Sequence, residues 1–177
     1  MAQPTAPVRE AAKIIADILV AQLGLEAGQI MLTNQKWEIP ETPGLFVAIS
    51  YVSGKVVGNT NYSVASDAGM TEMQQLLMLY DIQIDLMSYD DAARVKKELA
   101  YMGLMSVASE QIQEQYNVQV ARNPLPFQDV SMLEETGRLN RYTTSIRVWQ
   151  LITNQNTNVP YYSDFSQAVP PETTAQE

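Results

Sequence analysis

Four aspartates and three arginines are the side chains here with the widest scope for chemistry. Asp81 and Asp85 sit in the stretch YDIQIDLMSYDDA, and Asp90 and Asp91 close it. Two carboxylates at suitable spacing can hold a metal ion or share acid and base roles. Tyr80, Ile82, Ile84 and Leu86 alternate with Asp81, Gln83 and Asp85. That period of two predicts a strand with one dry and one wet face. It puts Asp81 and Asp85 on the same face with Cα atoms about 13 Å apart. One metal ion cannot bridge that span without a third ligand between them, and Gln83 is a poor one. Asp90 and Asp91 have a simpler use. They open a helix, where Ser88 or Asp90 caps free N–H groups and acids suit the positive end of the dipole.

The chain has no histidine and no cysteine. Ser–His–Asp and Cys–His constellations are therefore excluded, and so are thiolate and the commonest zinc sites. No phosphate-binding glycine loop, HExxH pair or EF-hand loop occurs. The expectation is a protein that is not an enzyme, with no cofactor and no metal.

Arg138, Arg141 and Arg147 fall on one stretch, GRLNRYTTSIRVWQL, in which Tyr142, Thr144, Ile146 and Val148 alternate with polar residues. Arg141 and Arg147 share parity and hence a face. Either this is a solvated sheet face paired with acids such as Glu134 or Glu135, or it contacts a neighbouring subunit or another protein. Tyr161, Tyr162 and Phe165 are the aromatics of a polar tail. They either fold back on their own domain or anchor on a neighbour, where such rings are enriched.

These residues need a framework. At 177 residues the chain suits one domain with arms; 46% of it is hydrophobic and only 18% charged. A net charge of −9 argues against a dedicated nucleic-acid binder. No basic leader precedes an apolar stretch, and no run approaches the ~18 apolar residues of a membrane span.

Residues 1–7 read as a flexible lead, 8–153 as one domain and 154–177 as an extended C-terminal arm. A helix is predicted from Pro7 or Val8 to Leu23, stopped by Gly24 in the left-handed C′ position. Leu25–Thr42 reads as irregular, pinning Trp37. Leu45–Ser53 is a strand, Lys55–Val57 begins a return strand, and Asn59–Met70 reads as a surface loop or hairpin tip. Leu76–Leu79 is apolar on both faces, as where a strand passes under other structure. In the second helix Ala92, Val95, Leu99 and Met102 form the predicted buried stripe, with Arg94, Lys96 and Lys97 outward. Leu104–Gln115 is a further helix or turn, Asn117–Ala121 a short strand, and Phe127–Leu133 with Arg138–Ile152 a hairpin. The order makes an α+β fold: a mostly antiparallel sheet of about four main strands, helices on one face, and the arm.

This order, with GLFVAISYVSG, then YDIQIDLMSYDDA running into AARVKKEL, then VSML and GRLNRYTTSIRVWQL, resembles the neck or tail-terminator proteins of tailed bacteriophages over residues 8–152. In that family a strand leads to a helix beginning near an Asp-Ala pair, as at Asp91-Ala92. A hairpin then returns an arginine-bearing strand, as with Arg138 and Arg141. The resemblance implies a structural virion protein: a hexameric ring at the head-proximal end of the tail. Such a ring stops tube polymerisation and joins the tail to the head connector. Its implied partners are tail tube or sheath protein on one side and a connector protein on the other, with DNA passing through the lumen. It implies a place in the virion, and in host cytoplasm during assembly. Two other classes compete: an acidic adaptor that takes up a partner strand on a sheet edge, and a carboxylate-dependent hydrolase.

Overall fold

A computed structural model describes residues 9–26, 28–32, 39, 42–66, 69–122, 125–134 and 137–157. The predicted positions of the 1–7 lead, of Trp37, and of Tyr161, Tyr162 and Phe165 lie outside them.

Helix α1 (Ala11–Leu23) turns eight buried side chains inward, among them Ile14, Ile15, Ile18 and Leu19. It begins after Glu10, later than the expected start at Pro7 or Val8. Gly24 ends it at φ 63°, with its N–H donating to the Val20 carbonyl at 3.0 Å. A residue with a Cβ is strained in that left-handed conformation, which is why the stop signal was readable.

Strand β1 (Ile30–Leu32) lies parallel to β2 (Phe46–Ser66), which pairs antiparallel with β3 (Gly69–Ser88). Helices α2 (Ala92–Leu104) and α3 (Val107–Gln115) follow. Short strands β4 (Val118–Val120), β5 (Gln128–Asp129) and β6 (Met132–Glu134) then lead to β7 (Gly137–Thr157). The sheet order is β1-β2-β3-β7-β4, with β5 and β6 also on β7. The fold is α+β as expected, but the sheet has seven strands, three of them 20 or 21 residues long.

All three helices cover one face. Ile82, Ile84 and Leu86 of β3 and Tyr142, Ile146 and Val148 of β7 join α1, Ala93, Ala100 and Leu104 in one core. The other face carries a small cluster of Phe46, Ala48, Met87 and Leu139. The dry face of β3 is therefore the one its alternation predicts. Ser88 Oγ accepts from the Ala93 N–H at 3.0 Å and Asp90 Oδ1 from the Ala92 N–H at 2.8 Å, so both predicted caps operate.

The α2 stripe is a correction. Val95, Leu99 and Met102 are 62%, 51% and 65% exposed, while Ala93, Ala100, Gly103 and Leu104 are buried. Small residues win the inner face because α1 lies close: a Cβ on Gly103 would sit 2.8 Å from the Gln22 side chain. Lys96 and Lys97 are half-buried rather than outward. The Lys97 Nζ stands 4.7 Å from the centre of the Tyr142 ring.

Three further expectations also change. Lys55–Val57 does not begin a return strand: β2 runs on through Asn59–Ser66, which is the hairpin tip and not the loop, pairing with Gly69–Leu76. The polar tract Asn154–Thr157, assigned to the arm, continues β7 against Thr71–Gln74. Of Leu76–Leu79 only Leu79 is buried; the other three are half-exposed. The physical reason is shared: the three strands run on past the core and satisfy one another without needing a buried face. Two register shifts interrupt β2, between Tyr51 and Ser53 and between Val56 and Gly58. Each leaves one β2 residue, Val52 or Val57, without a partner on β3.

Candidate interaction surface

Beyond Tyr80, β2, β3 and β7 run on as a ribbon, edged by β4 only as far as Gln150, whose side chain donates to the Arg9 carbonyl at 2.6 Å. The ribbon runs from Leu79 to Met70, roughly 30 Å at the rise of a strand. Its register defines two faces. On the helix-side face Val56, Met78 and Gln150 are level, then Asn59, Leu76 and Ile152, then amides towards the tip. On the far face Lys55, Leu79 and Trp149 are level, then Gly58, Leu77 and Leu151, then Thr60, Gln75 and Thr153, then Tyr62, Met73 and Gln155.

Both faces thus carry apolar side chains, and many are open to solvent. Val56 is 57% exposed, Tyr62 43%, Val64 48% and Leu151 36%. The ribbon is also nearly free of charge. Residues 52–66, 69–80 and 148–157 hold one lysine, Lys55, and one glutamate, Glu72. Exposed sheet rich in valine, tyrosine, methionine and neutral amides, and poor in Lys and Glu, has the composition of an interface core. Periodicity overlooked these residues because it seeks one buried face. The signal that finds them is the absence of charge over long stretches.

The tip of the helix-side face is a ladder of side-chain hydrogen bonds. Asn61 donates to Glu72 at 2.6 Å, Asn156 donates to Glu72 at 3.2 Å, and Asn154 donates to Gln74 at 3.4 Å. These donors hold the Glu72 carboxyl below the usual carboxylate range, Asn61 foremost. At the ribbon base Tyr51 and Tyr80 meet with ring centres 5.3 Å apart. The Tyr51 hydroxyl accepts from the Ala12 N–H at 3.0 Å, joining ribbon to α1. Burial raises both phenols above the usual tyrosine range.

Between this ribbon and the small far-face cluster lies a polar band, which accounts for the sequence-predicted acids and arginines. Arg141 Nη2 is 3.1 Å from Asp85 Oδ2, and Arg147 Nε is 3.3 Å from Asp81 Oδ1. Asp85 is almost fully buried. It accepts from Gln83 at 2.9 Å and also from the Thr143 hydroxyl. Ser53 donates to Asp81 at 2.7 Å. The two arginines share a face as parity requires, and each pairs with a β3 acid; Glu135 and the Glu134 side chain lie outside the described residues. Arg141 is committed to an internal pair, whereas the Arg147 side chain stays 69% exposed. Arg138 lies on β7 opposite Leu133, with its side chain outside the described residues. No group of three metal-ligating side chains gathers among the described residues.

No family model matches the sequence, and no curated protein matches it. Among solved structures it is similar to a chain of the virion of a native gene transfer agent particle. Identity is 10%, the TM-score is 0.30, and the match covers 84% of this chain and 98% of that one. A likeness at that level transfers neither fold nor role.

A second uncovered apolar surface lies on the helix layer. Val95, Leu99 and Met102 are followed by Val107, 71% exposed. The stripe sits on α2 and α3, apart in sequence from the strands of the ribbon.

Proposed function

We propose that this chain is a structural virion protein of a tailed bacteriophage. On this reading it forms a ring at the head-proximal end of the tail, ends tube assembly and joins the tail to the head connector. The observation that carries the reading is the ribbon: about 30 Å of sheet with apolar side chains on both faces, one lysine and one glutamate. A monomer gains nothing by building such an element, since two wet apolar faces only cost stability and invite aggregation. A repeating neighbour on each side recovers that surface. Contacts between unlike surfaces of identical subunits close into a ring when the rotation between neighbours closes. The net charge of −9 makes such a ring strongly negative, so DNA in its lumen would slide rather than adhere. The element order that resembles tail terminators supplies the rest of the reading.

The adaptor alternative uses the outer edge of β2 past Tyr51, which pairs with no further strand among the described residues; β1 meets β2 at Val47–Ile49. The two register shifts fall on that stretch, and irregularities of this kind discourage strand addition. Faces rather than edges are the better surface.

The test is native mass by light scattering, with negative-stain images of the same peak, repeated after incubation with purified tail tubes. Six copies around a central hole, or tubes capped at one end, is the expected result. A chain that stays monomeric and leaves tubes uncapped overturns the reading.

A further inference from the structure

The helix-side face of the sheet loses its cover before it loses its apolar character. On β3 that face runs Ile84, Ile82, Tyr80, Met78, Leu76, and on β7 Ile146, Val148, Gln150, Ile152. Val148 is fully buried and Gln150 nearly so. Met78, Leu76 and Ile152 are half-exposed, and Val56 beside Met78 is more open still. One level on, the face turns to Asn61, Gln74 and Asn154, amides already bonded across the strands. The helix layer therefore stops short of the apolar floor. Tyr80 to Leu76 is four residues, about 13 Å along the strand. A helix with its side chains is about 10–12 Å across, so the bare step is one helix wide.

A cavity marks the step. At the start of α1 lies an open notch of about 410 Å³, lined by Arg9, Glu10, Tyr51, Tyr80, Gln150 and Ile152. The α2 stripe has matching dimensions. Val95 to Met102 spans seven residues, about 10 Å along the helix axis. The two outer strands of the ribbon are also about 10 Å apart. Met102, exposed at the end of the stripe, is unbranched, and its sulfur packs well against ring edges such as those of Tyr51 and Tyr80. One molecule cannot make this contact with itself. Its Gly103 packs on Gln22, twelve residues and about 18 Å along α1 from Glu10, and its stripe is turned to solvent. Notch and stripe are unlike surfaces at opposite ends of α1, so a contact between them is head-to-tail and repeats from copy to copy.

We propose that the notch at the ribbon base takes the α2 stripe of a second copy, with Met102 in the notch and Leu99 over Met78 and Leu76. This rests on the ring reading and names the contact that repeats around the ring.

The absence of cysteine makes the test direct, since a disulfide needs Cβ atoms about 3.5–4.5 Å apart. Full-length Met102→Cys is mixed with full-length Ile152→Cys in the presence of tail tubes, under mild oxidation. The mixed disulfide should form at least fivefold faster than in a mixture of Met102→Cys with Leu77→Cys, which probes the other ribbon face. Separately, Leu99→Glu and Leu76→Lys should each stop assembly, and one chain carrying both should regain it. Mass and images of the unaltered protein, taken alongside, separate the two readings. Rings or capped tubes with equal disulfide rates overturn this contact and leave the ring standing. A protein that stays monomeric and leaves tubes uncapped overturns both. Met102→Cys chains that link chiefly to one another assign the stripe to a two-fold pair and overturn the proposal. So does an Ile152→Cys thiol that reacts only after residues 1–8 are removed, which would assign the notch to the start of the same chain. Circular dichroism of each reduced variant verifies the fold before rates are compared.

Discussion

The helix-covered end and the ribbon end of this molecule are built from the same three strands and obey different rules. Under the helices, β3 buries Ile82, Ile84 and Leu86 completely and turns Asp81, Gln83 and Asp85 into a polar band. Past Tyr80 the same strand is half-exposed on both sides from Met70 to Met78. The first region is held by burial, which a single chain supplies by itself. The second is held by cross-strand hydrogen bonds and side-chain pairs, which keep its shape without covering its surface. One end is a buried core; the other, on the function we propose, is a surface for contact.

The sharpest way to break this contrast is to charge each end in turn. Leu86→Asp buries a carboxylate in the core and should unfold the domain, costing about 4 kcal/mol or more, read as loss of the cooperative thermal transition. Arg141→Ala strands the buried Asp85 and should cost about 3 kcal/mol, measured by urea unfolding. Val56→Asp with Met78→Asp, on the ribbon, should abolish self-association or tube capping while stability changes by less than about 1 kcal/mol. If those two ribbon changes unfold the protein as Leu86→Asp does, the two ends are one cooperative core and the contrast fails.

Smaller effects refine it. Lys97→Ala should cost about 0.5–1 kcal/mol through loss of the Tyr142 ring contact, against near zero for a purely solvated lysine. Titration separates the ends as well. Tyr51 and Tyr80 have raised values in the fold. Their stabilisation is therefore intact below the ordinary tyrosine range and declines as pH rises through it. Loosening of α1 from the ribbon base should show first at alkaline pH, as faster exchange of the Ala12 amide. Glu72 has a lowered value, so its contribution is present above the ordinary glutamate range and is lost as pH falls through the folded value. Acid should fray the ribbon tip before the core, seen as selective loss of the Asn61 and Asn156 side-chain amide signals.

Much of the first region was legible in the sequence, and little of the second. Period two from Tyr80 to Leu86 identified the dry face of β3, and Gly24 marked the end of α1, because both signals arise from burial or a strained backbone conformation. The α2 stripe misled because size was taken for burial. Close approach to α1 selected Ala93, Ala100 and Gly103 and expelled Val95, Leu99 and Met102. Asn59–Ser66 and Asn154–Thr157 look like loop because polar stretches usually are; here their amides bond across strands. Parity correctly grouped Arg141 with Arg147. It could not reveal that Asp85 and Asp81 lie opposite, since register between strands distant in sequence is a tertiary property.

The two register shifts in β2 bear on how this chain can change over generations. Each extra residue is taken up in a bulge where it stands, so every later β2 side chain keeps the face set by its β3 partner. Loss of either Val52 or Val57 alone would close a regular ladder at that point and leave Tyr62 and Val64 opposite Met73 and Thr71. Deletion of either residue therefore changes the local bend and twist of the ribbon and not the identity of its faces. Descendants of this sequence can lose these residues one at a time.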